Sequence, residues 1–102
     1  MRIEVIGRNL EVTDAIREHA RGKAEKLPKF FDGIQLMTFR LTREDHQHHG
    51  KFGVELVVDV EKHDDFVASA SAEDLYAAID AAVQKASRQL TDFKERLKTG
   101  KR

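Results

Sequence analysis

The sequence predicts an α+β domain in the order β-α-β-β-β-α, with a four-stranded sheet and two helices packed on one of its faces. Three patterns carry that expectation. Residues 51–61 alternate, with Phe52, Val54, Leu56, Val58 and Val60 on one face and Glu55 and Asp59 on the other, as expected of a strand with one buried and one wet side. Ile79, Ala82, Val83, Ala86, Leu90, Phe93 and Leu97 recur at helical spacing and form a stripe along one side only. Ile16, Ala20, Ala24 and Leu27 repeat that pattern nearer the N-terminus. A helix that is apolar along one stripe has to cover the apolar face of something else, and the sheet offers one such face.

The elements follow in order. Residues 1–6 form a short strand with Ile3 and Val5 on one face, and Gly7-Arg8-Asn9 turns the chain. Thr13 is placed to cap a helix, and Asp14 puts negative charge in its first turn, where the helix dipole favours it. That helix is expected to end near Pro28, the only proline, because proline disfavours helix in the residue before it. Phe30 and Phe31 are expected to plug the core, and Asp32-Gly33 makes a turn. Residues 34–43 read as a strand, with Met37, Phe39 and Leu41 alternating against Thr38 and Arg40. Glu44 to Gly50 reads as a polar loop and Lys62 to Asp65 as a charged turn. Phe66, Ala68 and Ala70 mark a fourth strand. Ser71-Ala72-Glu73-Asp74 resembles a capping box, and a long helix is expected from there to about Leu97.

Length and composition bound the function. With 102 residues the chain is expected to form a single domain over 1–102. There is no cysteine, which excludes disulfides, thiolate nucleophiles and cysteine zinc sites. No run approaches the roughly 20 apolar residues of a membrane helix, and Met1-Arg2-Ile3-Glu4-Val5 has no signal-peptide layout. A cytoplasmic protein with no membrane partner is therefore expected. The formal net charge is zero, but its distribution is uneven. Residues 1–31 hold 7 basic and 5 acidic groups, residues 32–74 hold 4 and 10, and residues 75–102 hold 7 and 3. The two helical ends are basic and the strand-rich middle is acidic, and it is the local field that steers a partner.

The basic residues are ordered on the helices. At about 100° per residue, with Ile79 at zero, Lys85, Gln89 and Arg96 fall near 240–280°, Arg88 near 180°, and Lys94 and Lys98 near 60–100°. On the first helix His19, Lys23 and Lys26 share one flank, with Lys29 just past the break. Each helix thus carries cations beside its buried stripe, and helices packed side by side would merge them into one positive surface. Such a surface suits phosphate, with lysine as a point charge and arginine able to fork onto two oxygens.

Other chemistry is poorly supported. His46, His48 and His49 are close in sequence, but no further ligand is placed to complete a tetrahedral site, and they read as part of a loop. No metal or cofactor is expected. There is no Gly-rich phosphate loop after a strand and no nucleophile with an activating partner. Asp64-Asp65 and Glu73-Asp74 are paired carboxylates in a turn and a cap. No catalytic residue and no small-molecule substrate are expected. Tyr76, at the start of the second helix, is expected to pack against the core edge rather than to stack on a base.

Several stretches resemble one family. Gly7-Arg8-Asn9-Leu10-Glu11-Val12-Thr13-Asp14-Ala15-Ile16-Arg17 is similar to the opening of the ribosome hibernation-promoting factors, as is Lys23-x-x-Lys26-Leu27-x-Lys29-Phe30-Phe31. Glu73-Asp74-Leu75-Tyr76-Ala77-Ala78-Ile79-Asp80, followed by Lys85-x-x-Arg88-Gln89-Leu90, is the most specific match. The likeness runs over nearly the whole chain. It implies two parallel helices on a four-stranded sheet. It also implies a non-catalytic protein that binds the small ribosomal subunit and its ribosomal RNA in the channel for messenger and transfer RNA, silencing ribosomes under stress or in stationary phase. By position, the RNA-binding residues it implies are Lys23, Lys26, Lys29, Lys85, Arg88, Lys94 and Arg96. The chain departs from the pattern at Asp92, where many relatives carry lysine, at Gly22, and at Pro28. Its end soon after the second helix makes it look like a short form. Two other readings remain open at this point: a general double-stranded-RNA-binding module, and a protein-interaction adaptor that uses the acidic sheet face.

Overall fold

The computed structural model describes residues 1–29, 32–46 and 49–99, with backbone alone at 45, 46, 49, 50 and 99. Strand β1 (Arg2–Arg8) is followed by helix α1 (Asp14–Ala24), strands β2 (Ile34–His46), β3 (His49–Val60) and β4 (Phe66–Ala72), and helix α2 (Leu75–Thr99). The strands lie in the order β1-β2-β3-β4. β1 runs parallel to β2, so the chain must cross over between them, and α1 makes that crossover. β2, β3 and β4 form an antiparallel meander.

Register explains why both helices share a face. Val5 sits opposite Phe39, Phe39 opposite Leu56, and Leu56 opposite Ala68. These four side chains line up across the sheet, and all are buried. Met37, Leu41, Val54, Val58 and Val60 extend the same apolar layer. Against it α1 and the single 3-10 turn after it bring Ala20, Ala24 and Leu27, and α2 brings Leu75, Ala78, Ile79, Ala82, Ala86 and Leu90. The alanines keep the helix surfaces low, so both helices approach the sheet closely. No polar or charged side chain is buried among the described residues.

The ends of the elements differ from expectation in instructive ways. Thr13 caps α1 as its sequence suggests, accepting from the Ile16 N–H at 3.2 Å. The α-helix ends at Ala24, and Pro28 lies within the 3-10 turn Leu27–Lys29. Ser71 does not cap α2. β4 continues to Ala72, which pairs with Phe52, and Asp74 takes the capping role by accepting from the Tyr76 N–H at 3.2 Å. β1 runs on through Arg8, and the chain turns at Asn9, whose φ of 63° is left-handed. The polar stretch from Glu44 is not a loop: the ladder between β2 and β3 continues through Asp45↔Gly50 to His46↔His49. Backbone pairing extends whatever the polarity of the side chains, and Arg43 lies over the Phe52 ring at 5.9 Å to help hold it. The expected plug at Phe30 and Phe31, and His48, lie outside the described residues. At the far end of α2, Phe93 is half-buried and Leu97 is 48% exposed, so the seam outlasts the sheet it covers.

Two glycines test this packing in opposite directions. A Cβ on Gly7 would sit 2.6 Å from the Leu10 carbonyl oxygen and 2.8 Å from Val12 Cγ2. Gly7→Ala is expected to cost on the order of 1–3 kcal/mol, since backbone has to move. A Cβ on Gly22 would meet nothing within 4 Å. Gly22→Ala is expected to stabilise by up to about 1 kcal/mol, from helix propensity alone. Urea midpoints of the two variants check both signs.

Candidate nucleic-acid interface

The helices run in the same direction. His19 meets both Tyr76 and Asp80 across the gap, and Lys23, one turn further along α1, meets Asp80. His19 Nε2 lies 2.7 Å from Asp80 Oδ1, and Lys23 Nζ lies 3.8 Å from the same oxygen. The Tyr76 ring stands edge-on to the imidazole, with centroids 4.9 Å apart. One carboxylate is thus shared by two donors from the neighbouring helix. Tyr76 is 38% exposed and packs at this seam against His19.

The other flank of α2 faces away from α1. Lys85 donates from Nζ to the Ser69 carbonyl oxygen at 2.8 Å, and Gln89 donates from Nε2 to the Val67 carbonyl oxygen at 3.0 Å. β4 is the sheet's edge, so these carbonyls have no strand to accept from. Two side chains four apart on the helix reach two carbonyls two apart on the strand. They cover an edge that would otherwise be a template for another chain.

The seven expected cations therefore divide. Lys23 lies at the α1–α2 seam, half-neutralised by Asp80. Lys26 and Lys29 are exposed on the turn that leads away from α1. Lys94 borders a shallow depression with Asp32, Gly33, Glu61 and Lys62, near the C-terminal end of α2. Lys85 is on the opposite flank over β4, the side to which the helical spacing also assigns Arg96, and Arg88 is exposed on the crest between the two flanks. α1 packs against one flank of α2 and β4 lies beside the other. The continuous feature is α2 itself, with cations on both sides and on top. The side chains of Lys26, Lys29, Arg88, Lys94 and Arg96 make no hydrogen bond or ion pair among the described residues. Asp92 is spaced one turn from both Arg88 and Arg96 but bonds to neither.

The opposite sheet face carries Glu4, Glu55 and Asp59, but it is not a purely acidic surface. Arg2 pairs with Glu4 at 2.7 Å and Arg40 with Glu55 at 3.1 Å. Among the described residues no group of three or more metal-ligating side chains converges, and no helix is long and apolar enough to cross a membrane.

Sequence reasoning placed His19 on the cationic flank of α1 and Gln89 beside Lys85, and it quoted Asp80 within a motif, but it gave none of the three its partner. Partners 61 and 22 residues apart leave no local signal. Only the spacing His19–Lys23 and Tyr76–Asp80, one helical turn each, hinted that two short faces would meet.

Comparison with known proteins places this geometry. Residues 3–98 match the family described as Sigma 54 modulation protein / S30EA ribosomal protein. The chain is 38% identical over 98 residues to the ribosome hibernation promoting factor of Escherichia coli K12, covering 96% of this chain and 98% of that protein. The crystal structure of the Thermus thermophilus Protein Y N-terminal domain is similar with a TM-score of 0.80 and 35% identity, covering 91% of this chain and 99% of that one. A ribosomal subunit interface protein from Coxiella burnetii shares the fold at a TM-score of 0.81 and 22% identity, over 93% and 99% of the two chains.

The seam offers a direct check on stability. Asp80→Ala removes the only polar tie described between the helices. Because Asp80 is 45% exposed, water screens the tie, and the expected loss is at most about 1 kcal/mol. A larger shift in the urea midpoint would mean that the pairing of the helices depends on this carboxylate more than on the alanine-lined core.

Proposed function

The chain belongs to the Sigma 54 modulation protein / S30EA ribosomal protein family, and from that premise we propose that it silences ribosomes by binding the small subunit in the channel for messenger and transfer RNA. It is a ribosome hibernation protein of the cytoplasm and not an enzyme. Residues 1–102 act as one ribosome-binding domain, whose partner is ribosomal RNA. The name of the Escherichia coli relative, a ribosome hibernation promoting factor, supports the process.

One observation carries the choice of surface. Five exposed cations on and beside the helices, Lys26, Lys29, Arg88, Lys94 and Arg96, have no partner among the described residues. A cation that contributes no ion pair to the fold is free to neutralise phosphate and release counterions. Lys23 and Lys85 add to this set, although each already has one partner inside the protein. The acids of β3 lie on the far face of the sheet, so they do not oppose the approach of RNA to α2.

The mechanism is steric. A domain seated in the channel and messenger or transfer RNA exclude one another, and no bond has to be made or broken. Phosphate contacts supply affinity, and the shape of folded RNA supplies selectivity.

Sedimentation of the purified protein with isolated small subunits tests this. With about five phosphate contacts, the logarithm of the affinity should fall against the logarithm of salt with a slope on the order of −4. Lys26→Glu combined with Arg88→Glu should abolish co-sedimentation at moderate salt. These side chains make no described bond within the protein, so circular dichroism should be unchanged. Asp92→Asn should instead tighten binding several-fold, by removing a carboxylate spaced between Arg88 and Arg96. Prebound transfer RNA should compete. Undiminished binding by the double variant, or simultaneous binding with transfer RNA, would remove the channel assignment.

A further inference from the structure

β4 is one edge of the sheet and β1 is the other. Lys85 and Gln89 cover the carbonyls of β4, but no side chain does the same for β1 among the described residues. No described hydrogen bond reaches the backbone of Arg2–Arg8 from outside the sheet. Such an edge is a template for another strand unless the sequence blunts it. β1 lacks the usual devices. It contains no proline or lysine, and its register with β2 runs without a bulge. Ile3, Val5 and Gly7 put no charge on the helix side. Ile6 is 48% exposed on the open face of the sheet.

The charges of β1 select a strand like itself. Two copies related by a two-fold axis normal to the sheet pair antiparallel, and the same patch serves both. With the axis at Val5, Arg2 of each copy faces Arg8 of the other. With the axis at Glu4, that carboxylate faces its own copy. With the axis at Ile6, Glu4 of each copy faces Arg8 of the other, Ile6 faces Ile6, and Val5 faces Gly7. Of the three registers, only this one sets opposite charges face to face. Arg8 makes no described hydrogen bond or ion pair of its own, and Glu4 is held by Arg2 alone. The helix layer allows the pairing too. α2 packs over β3 and β4, and α1 lies beside α2, toward β1. Strands sit about 4.8 Å apart and helices roughly 8–10 Å apart, so one helix spans two strands. A sheet continued through β1 therefore continues the helix layer, with the α1 helices of the two copies side by side. A groove of about 350 Å³ lies between Met1–Glu4 and the side chains of Arg21 and Glu25. In the same register Asn9 of the second copy falls opposite Ile3, along this groove.

We propose that β1 is a self-association edge: a second copy of this chain adds its own β1 antiparallel about Ile6, with Glu4 and Arg8 paired across the junction, to make one continuous eight-stranded sheet. The proposal is independent of the ribosomal RNA reading above. Both helix layers lie on one side of the joined sheet. α2 stays over β3 and β4, away from the junction, so the cations of both copies remain open to a partner.

Sedimentation equilibrium of the purified chain, taken up to about 1 mM, tests it. The wild type should show a monomer–dimer equilibrium. Arg8→Glu and Glu4→Arg each set like charges face to face at both ends of the junction, and each should weaken the dimer roughly tenfold or more. The double variant exchanges the two charges and should restore the dimer to within about threefold of the wild type, a rescue that general damage to the strand cannot produce. Circular dichroism should be unchanged throughout. The chain has no cysteine, so single thiols can be placed at will. Ile6 and Val67 are each 48% exposed, on opposite edge strands. A short bis-maleimide should link Ile6→Cys into a covalent dimer several-fold faster than Val67→Cys. A wild type that stays monomeric over the whole range overturns the proposal. So does a dimer that is indifferent to the charge variants, is not rescued by the exchange, or links as readily through position 67.

Discussion

Everything in this molecule depends on one constraint: the four-stranded sheet has a single apolar face, and both helices must share it. The width of that face is set by Val5, Phe39, Leu56 and Ala68, one from each strand. Two helices fit on it side by side because they meet it largely through alanine, at Ala20 and Ala24 on α1 and at Ala78, Ala82 and Ala86 on α2. A larger residue at any of these sites would lift a helix from the sheet or force its neighbour aside. Once the helices are confined in this way, their polar sides have only two outlets: toward solvent, or toward whatever lies alongside.

That confinement turns a chain with no net charge into one with a cationic side. The acids of the strands alternate with the core residues, so they point away from the helices by the geometry of the strand itself. There they meet arginines, as Glu4 does with Arg2 and Glu55 with Arg40. The cations of the helices have fewer acids near them. Lys85 lies over the edge strand and Lys23 over the seam, and both find acceptors in the fold. Arg88 and Lys26 find none and remain available. Net charge is therefore a poor guide to this protein's partners, while the sorting of charge between two faces is a good one.

Much of this was legible in the sequence, for reasons that particular residues show. The alternation of Phe52 through Val60 and the stripe from Ile79 to Leu90 express the two backbone periods, and each period needs only local information. Thr13 was legible as a cap because a cap bonds two or three residues away. Ser71 was misread because β4 pairs Ala72 with Phe52, a partner twenty residues distant, and the helix could start only after that ladder ended. Leu97 continues the pattern of a buried stripe but has no sheet beneath it, and periodicity does not report where a neighbour stops. The division of the cations was hidden in the same way. A helical angle says where Lys85 and Lys23 point from their own axes, but not that β4 lies beside one and α2 beside the other.

The same geometry separates residues that serve the fold from residues available for binding, and a few that do both. Lys85 and Gln89 close the edge of β4, so exchanging Lys85 for an acid would disturb the edge as well as any contact with phosphate. The side chains of Lys26 and Arg88 make no hydrogen bond or ion pair among the described residues, so changing them alters chiefly the charge. His19 lies between these classes. Its Nε2 bonds Asp80 across the seam, while the side chain as a whole is 27% exposed. A side chain placed in this way belongs to the seam and to the surface at once.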